Sequence, residues 1–180
     1  MSQVFMFGKY KIDPREIFHV TNLSFCIVNY KPVLPGHVLV VPLRIVKNFE
    51  DLKPEEVTDL FCTAQLVCKA LRVAFNGQSF TLSIQDGPQA GQTVEHVHLH
   101  ILPRLEGDRF SGEKNDEIYT EINKAENNFK PRSMEEMEKE AELLKREIQI
   151  QLGNLNNNNN VNEENSNEKE NQKNEITENN

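Results

Sequence analysis

Residues 95–104 read Glu95-His96-Val97-His98-Leu99-His100-Ile101-Leu102-Pro103-Arg104. Imidazole and aliphatic side chains alternate with a period of two, the period of an extended strand. The expected strand covers Glu95 to Leu102. Val97, Leu99 and Ile101 turn to a core, and His96, His98 and His100 are exposed together on the other face. Successive histidines then stand about 7 Å apart, from the rise of a strand. Three of the five histidines of the chain fall within these five residues. A face that only met water would be served better by Thr, Lys or Glu, so the pattern points to chemistry. Two chemistries suit it. Neutral imidazoles can ligate zinc. Alternatively, one neutral imidazole can attack phosphorus while protonated neighbours hold phosphate oxygens.

The preceding segment favours phosphorus. Gln85-Asp86-Gly87-Pro88-Gln89-Ala90-Gly91-Gln92-Thr93-Val94 has two glycines and small or amide side chains. Such a loop can turn backbone N–H groups towards a phosphate, with close approach at Gly91. Gln92 and Thr93 add neutral donors. Beyond it, Arg104 could hold a phosphate or be solvated, and the sequence alone leaves both open. His37, after Pro35-Gly36, reads as a structural residue of a turn.

Outward from this core, four more segments read as strands: Glu16 to Val20, Ser24 to Asn29, His37 to Val41 and Ser79 to Asp86. The short connections between successive strands imply antiparallel pairing. Pro54-Glu55-Glu56 has the character of a first helical turn, with proline at the first position and acids at the positive end. Val57, Leu60, Phe61, Ala64, Val67, Cys68, Leu71 and Phe75 follow at helical steps, and Asn76-Gly77 is the stop. A second helix opens at Ser133 with Glu136 in capping-box spacing and runs to about Leu152. Glu106 to Asn115 has no periodicity and reads as a mobile loop. The expected fold is α+β, a five-stranded antiparallel sheet with two helices.

The 180 residues carry a formal net charge of −8. That argues against a binder of nucleic-acid polymers, which usually shows a basic stripe. No apolar run approaches the roughly 20 residues of a membrane span, and no secretory leader is visible. Three cysteines without CxxC spacing argue for a reducing, cytoplasmic or nuclear compartment. The stretch 153–180 differs from the rest: thirteen of its residues are Asn, and it carries half the net charge. It is expected to be a disordered tail after a domain of residues 1–152.

The His-Val-His-Leu-His-Ile run of residues 96–101 resembles the histidine triad superfamily of nucleotide hydrolases and transferases. The resemblance extends through Leu23-Ser24-Phe25, Val28-Asn29, Lys31-Pro32-Val33, Pro35 to Val40, Pro42-Leu43-Arg44, Gln85 to Pro88, Ala90 to Val94 and Leu102-Pro103-Arg104. It implies a dinucleoside polyphosphate hydrolase that converts diadenosine triphosphate to AMP and ADP. It also implies a homodimer whose two sheets join into one. By match, His98 is the nucleophile that forms a nucleotidyl-histidine intermediate, His96 and His100 flank it, and Gln92 sits near the leaving phosphate. Gly91, Gln92, Thr93 and Val94 form the phosphate loop, and Asn29, Gln85 and His100 contact nucleotide. Tyr10 stands where the family has a histidine that touches nucleotide. Tyr119 matches a tyrosine that the family can have phosphorylated. Magnesium or manganese would arrive with the polyphosphate as its main ligand, with no dedicated metal cage in the protein. Two other readings remain: a nucleoside phosphoramidase, and a signalling module whose nucleotide complex is the output.

Overall fold

The structure, a computed structural model, describes residues 3–155. Two short strands, β1 (Met6–Phe7) and β2 (Tyr10–Lys11), form an N-terminal hairpin. The main sheet contains β3 (Ile17–Val20), β4 (Ser24–Val28), β5 (Val38–Pro42), β6 (Ser79–Ile84) and β7 (Leu99–Arg104). Its order is β3-β4-β5-β7-β6, and every neighbouring pair is antiparallel.

Cross-strand register assigns the two faces. Phe25 pairs with Val41 and Ile27 with Leu39, and Leu39 in turn pairs with His100. Phe25, Ile27, Leu39 and Val41 form a core cluster with Ile12 and Ile17, on which Phe5 and Phe7 pack. The N-terminal hairpin segment therefore covers the same face that carries His100. Val38, Val40, Leu99 and Ile101 belong to the opposite parity. Helix α1 (Pro54–Ala74) packs against β4, β5 and β7 through the stripe Leu60, Ala64, Val67, Ala70 and Leu71. Its start follows the sequence signals: Pro54 opens it, and the Glu56 carboxylate accepts from the Lys53 N–H at 2.8 Å. Its stop does as well, since Asn76 takes a positive φ of 54°.

Helix α2 (Glu117–Asn128) has no counterpart among the sequence expectations. Helix α3 starts at residue 134. Its cap is reciprocal as expected: Ser133 N–H donates to Glu136, and Glu136 N–H donates to the Ser133 hydroxyl. Met137, Ala141, Leu144 and Ile148 are its buried face. The compact unit that holds the sheet ends at Ile148. Residues 149–155 are helical too, so helix persists three residues past Leu152. The remainder of the Asn-rich tail, residues 156–180, lies outside the described residues.

The histidine strand differs from its expected form in two ways. The ladder begins at Leu99, not at Glu95, so His96 and His98 precede it. After Pro42 the β5 side diverges, and residues 95–98 meet the segment after β5 only through separate bonds, such as Val97 N–H to the Val46 carbonyl. The histidines are also not exposed together. His96, His98 and His100 are 0%, 5% and 6% accessible. Phe61, placed on the buried stripe of α1 by periodicity, is instead exposed.

Candidate active site

A cavity of about 450 Å³ opens on the hairpin side of the sheet. Apolar side chains of Phe7, Ile12, Ile27 and Leu39 line it together with His98, His100, Gln85, Thr93, Val94 and Asn123. Asn29, Lys31 and Tyr10 line it as well. The mixed lining suits a ligand that carries both a flat apolar ring and an anionic group.

Hydrogen bonds fix the tautomer of each histidine. The His98 Nδ1–H donates to the backbone carbonyl of His96 at 2.7 Å. Its Nε2 therefore keeps a lone pair. The ring is clamped edge-on between Phe7 and His100, at centroid distances of 4.9 and 4.8 Å. Burial, above all, pushes its pKa down to about 4, against the raising effect of the His96 carbonyl. It is thus neutral, and nucleophilic, across the physiological range.

His100 receives its polarity from a chain of bonds. The Val33 N–H donates to His37 Nδ1 at 3.2 Å. A backbone amide can only donate, so the neutral His37 ring must carry its proton on Nε2. That nitrogen stands 2.9 Å from His100 Nδ1 and donates to it. His100 then carries its own proton on Nε2, and this buried N–H has no partner among the described residues. An orphaned buried donor costs about 1–3 kcal/mol. A phosphoryl oxygen in the cavity would satisfy it. Burial first, and then the neighbouring histidines, hold the His100 pKa well below its ordinary value. His100 therefore offers the cavity a neutral donor, not the protonated imidazolium expected from sequence.

His96 serves differently. Its Nδ1 accepts from the Gly8 N–H at 3.1 Å, and its Nε2–H donates to the Arg44 carbonyl at 3.1 Å. The ring is fully engaged and does not line the cavity. Its backbone carbonyl, not its imidazole, orients His98. Arg44 is held in turn by Glu56 at the start of α1, at 2.8 Å.

The expected residues otherwise divide. Tyr10, Asn29, Gln85, Thr93, Val94, His98 and His100 all face the cavity. Gly91 has a φ of +90°, in the region that favours glycine, and a Cβ there would collide with Asn123 and Gln85. Gln92 does not face the cavity. Its Oε1 accepts from the Gly87 N–H at 2.9 Å and its Nε2 donates to the Lys47 carbonyl at 2.8 Å, so it staples the loop. Arg104 is buried and holds no ligand position: it binds Asp108, Thr81, Asn115 and the Phe110 carbonyl. It thereby ties down the Glu106 to Asn115 segment, expected to be a mobile loop.

Two contributors escaped the sequence reading. His37, read as a turn residue, sets the polarity of His100. Arg132, from the segment before α3, donates to the Asn29 carbonyl at 3.0 Å and pairs with Glu140 at 2.7 Å. Both charged side chains are mostly buried. No sequence signal marks Arg132 except its place just before a capped helix. Arg132→Met is expected to destabilise the protein by about 2 kcal/mol, because it leaves Glu140 buried without its cation. A thermal melt should show a midpoint lower by about 4–8 °C, with part of the loss recovered in the Arg132→Met/Glu140→Leu double variant.

A buried lone pair beside an orphaned N–H in such a cavity is the arrangement that a nucleophilic imidazole acting on an anionic group requires. Residues 11–107 match the HIT domain family model, and the chain belongs to that family. It is similar to a bifunctional bis(5'-adenosyl)-triphosphatase/adenylylsulfatase of Arabidopsis thaliana, with 52% identity over 76% of this chain and 80% of the relative. It is 54% identical to a bis(5'-adenosyl)-triphosphatase of Dictyostelium discoideum, over 77% of this chain and 89% of the relative. Among solved structures it resembles the diadenosine triphosphate hydrolase of Plasmodium falciparum in complex with cyclomarin A. There the TM-score is 0.67 and the identity 39%, over 83% of this chain and 86% of the other.

Proposed function

We propose that this protein hydrolyses diadenosine triphosphate to AMP and ADP through a nucleotidyl-histidine intermediate. The observation that carries the reading is the His98 Nε2 lone pair set beside the unpartnered His100 N–H. The relatives described above support the choice of substrate.

The base would pack on apolar side chains of the lining such as Phe7, Ile27 and Leu39, with its ribose near Asn29. The α-phosphate then lies between His98, His100 and Gln85. His98 Nε2 attacks the α-phosphorus and forms a P–N bond. The bond to the bridging oxygen breaks, and ADP leaves with the electron pair. Water then attacks the same phosphorus, AMP departs, and the imidazole regains its lone pair. One difficult displacement thus becomes two easier ones. The donor on His100 stabilises negative charge on the non-bridging oxygens as it develops. A magnesium or manganese ion would enter as part of the polyphosphate substrate, held mainly by phosphate oxygens, and would neutralise the leaving group. Gln92 would act through the loop shape it staples.

We also propose a homodimer. Strand β6 lies at the end of the sheet order and exposes Leu82, so a second copy could extend the sheet there. Cys26, Cys62 and Cys68 are all free thiols, which fits a cytoplasmic setting. No helix among the described residues is long and apolar enough to cross a membrane.

Product analysis tests the central reading. Purified protein with diadenosine triphosphate and magnesium should yield AMP and ADP in equal amounts. In water enriched in ¹⁸O, the label should appear in AMP. A folded protein that binds the dinucleotide without turning it over would overturn the hydrolase and favour the signalling reading.

A further inference from the structure

The wall of the cavity holds a group that this reaction scheme does not use. Asn123 lies on α2, and its side-chain oxygen accepts a hydrogen bond from Gln85 Nε2. The same amide crowds Gly91: its atoms and Gln85 Nε2 are what a side chain at Gly91 would strike. Asn123 therefore stands in the cavity wall, between Gly91 of the loop and Gln85.

Its placement is not casual. Ile118 and Ile122 of α2 are buried with Val33, Leu34, Leu102 and Phe110. Arg104 binds both Asp108 and Asn115 just before the helix, and Arg109 pairs with Glu121 on it. These contacts hold α2 where Asn123 meets Gln85.

An amide oxygen and a non-bridging phosphoryl oxygen are both acceptors without a proton. Gln85 Nε2 carries two hydrogens, and the one spent on Asn123 can satisfy only one such acceptor. We propose that Asn123 sets the affinity of the cavity for the polyphosphate: its side-chain oxygen holds the place of a phosphoryl oxygen on one N–H of Gln85, and a phosphate chain that takes that N–H displaces it. The inference rests on the hydrolase reading of the same cavity. It predicts that apparent affinity is set partly by an internal competitor, while the chemical step at His98 is untouched.

The test compares wild type with Asn123→Ala and Asn123→Asp. Two quantities are measured: steady-state hydrolysis of diadenosine triphosphate, and calorimetric binding of its non-hydrolysable methylene-bridged analogue. Removing a competitor worth about one neutral hydrogen bond should lower both KM and Kd by about 3- to 10-fold in Asn123→Ala. kcat should change by less than about 2-fold. Asn123→Asp places a fixed anion beside the incoming phosphate, so KM and Kd should rise, and added salt should shrink that rise. A purely structural role for Asn123 would weaken binding in both variants and would not give opposite signs. Lys124→Ala, the next residue of α2 and outside the cavity lining, should match wild type. Unchanged or weaker binding by Asn123→Ala overturns the inference even if wild type hydrolyses the substrate. Failure of wild type to hydrolyse the substrate or bind the analogue would instead remove the hydrolase reading itself.

Discussion

His98→Asn is expected to lower kcat for diadenosine triphosphate by on the order of 10⁴-fold or more, as loss of the nucleophile does in other covalent mechanisms. The asparagine amide can still donate to the His96 carbonyl, so the local backbone should hold. What disappears is the Nε2 lone pair, and no other group is placed to replace it. His96 spends both ring nitrogens on Gly8 and Arg44. His100 presents a proton to the cavity and cannot attack. Binding should therefore survive, with a Kd for the non-hydrolysable analogue within about 3-fold of wild type. Single-turnover assays with labelled substrate would also show wild type, but not the variant, carrying an acid-labile nucleotidyl adduct. Residual kcat within 10-fold of wild type would dismiss His98 as nucleophile.

The second large effect is on stability in acid. Burial pushes His98 down to about 4 and His37 down to about 3, and it lowers His100 as well. In the unfolded chain all three return to about 6.5. Between the folded and unfolded values the unfolded chain binds more protons, so stability rises with pH there and falls as pH drops below 6.5. Each such group contributes up to about 1.4 kcal/mol per pH unit. Between pH 6.5 and 4, His37 and His98 together remove on the order of 5 kcal/mol, comparable with the whole stability of an ordinary domain. Below pH 4 the loss continues through Asp108 and Glu56, whose carboxyls Arg104 and Arg44 hold at about 2. Denaturant titrations from pH 8 to pH 4 should show a steady fall that begins near 6.5. A flat midpoint between pH 7 and 5 would be inconsistent with three buried neutral imidazoles. Activity should then fail in acid because the fold opens, before His98 in the folded protein takes up a proton.

Much of this architecture was legible in the residues. Pro54, the apolar steps of α1 and Asn76-Gly77 gave a helix within a few residues of its observed ends. Four of the five expected strands lie within two residues of their places, because each alternates or runs apolar between turn residues, while the histidine strand begins four residues late. The His98 and His100 positions followed from the motif. The rest depended on contacts between distant residues. Among the described side chains of helix α2, Ile118 and Ile122 are the buried anchors, and their apolar partners come from residues 33, 34, 102 and 110. Local periodicity in Glu117–Asn128 was too weak to announce it. The histidines were expected on an open face because nothing in residues 95–104 shows that Phe5, Phe7 and Gly8 would fold over them. The role of Gln92 was misplaced for a similar reason: a loop amide can face a ligand or its own backbone, and only the position of Lys47 decides. His37 looked like a turn residue because its partner His100 is 63 positions away.

The bond chain from Val33 through His37 to His100 gives the cavity a direction. A main-chain amide cannot reverse its hydrogen, so neither imidazole after it can reverse without breaking a bond inside the core. The inner wall is thereby permanently electropositive at one point, with no charge and no titration near neutral pH. A ligand that brings lone pairs is welcomed there. A ligand that brings hydrogens, or a bare cation seeking a lone pair, meets a proton instead. Selection between anion and cation is thus fixed by folding itself, before any substrate arrives.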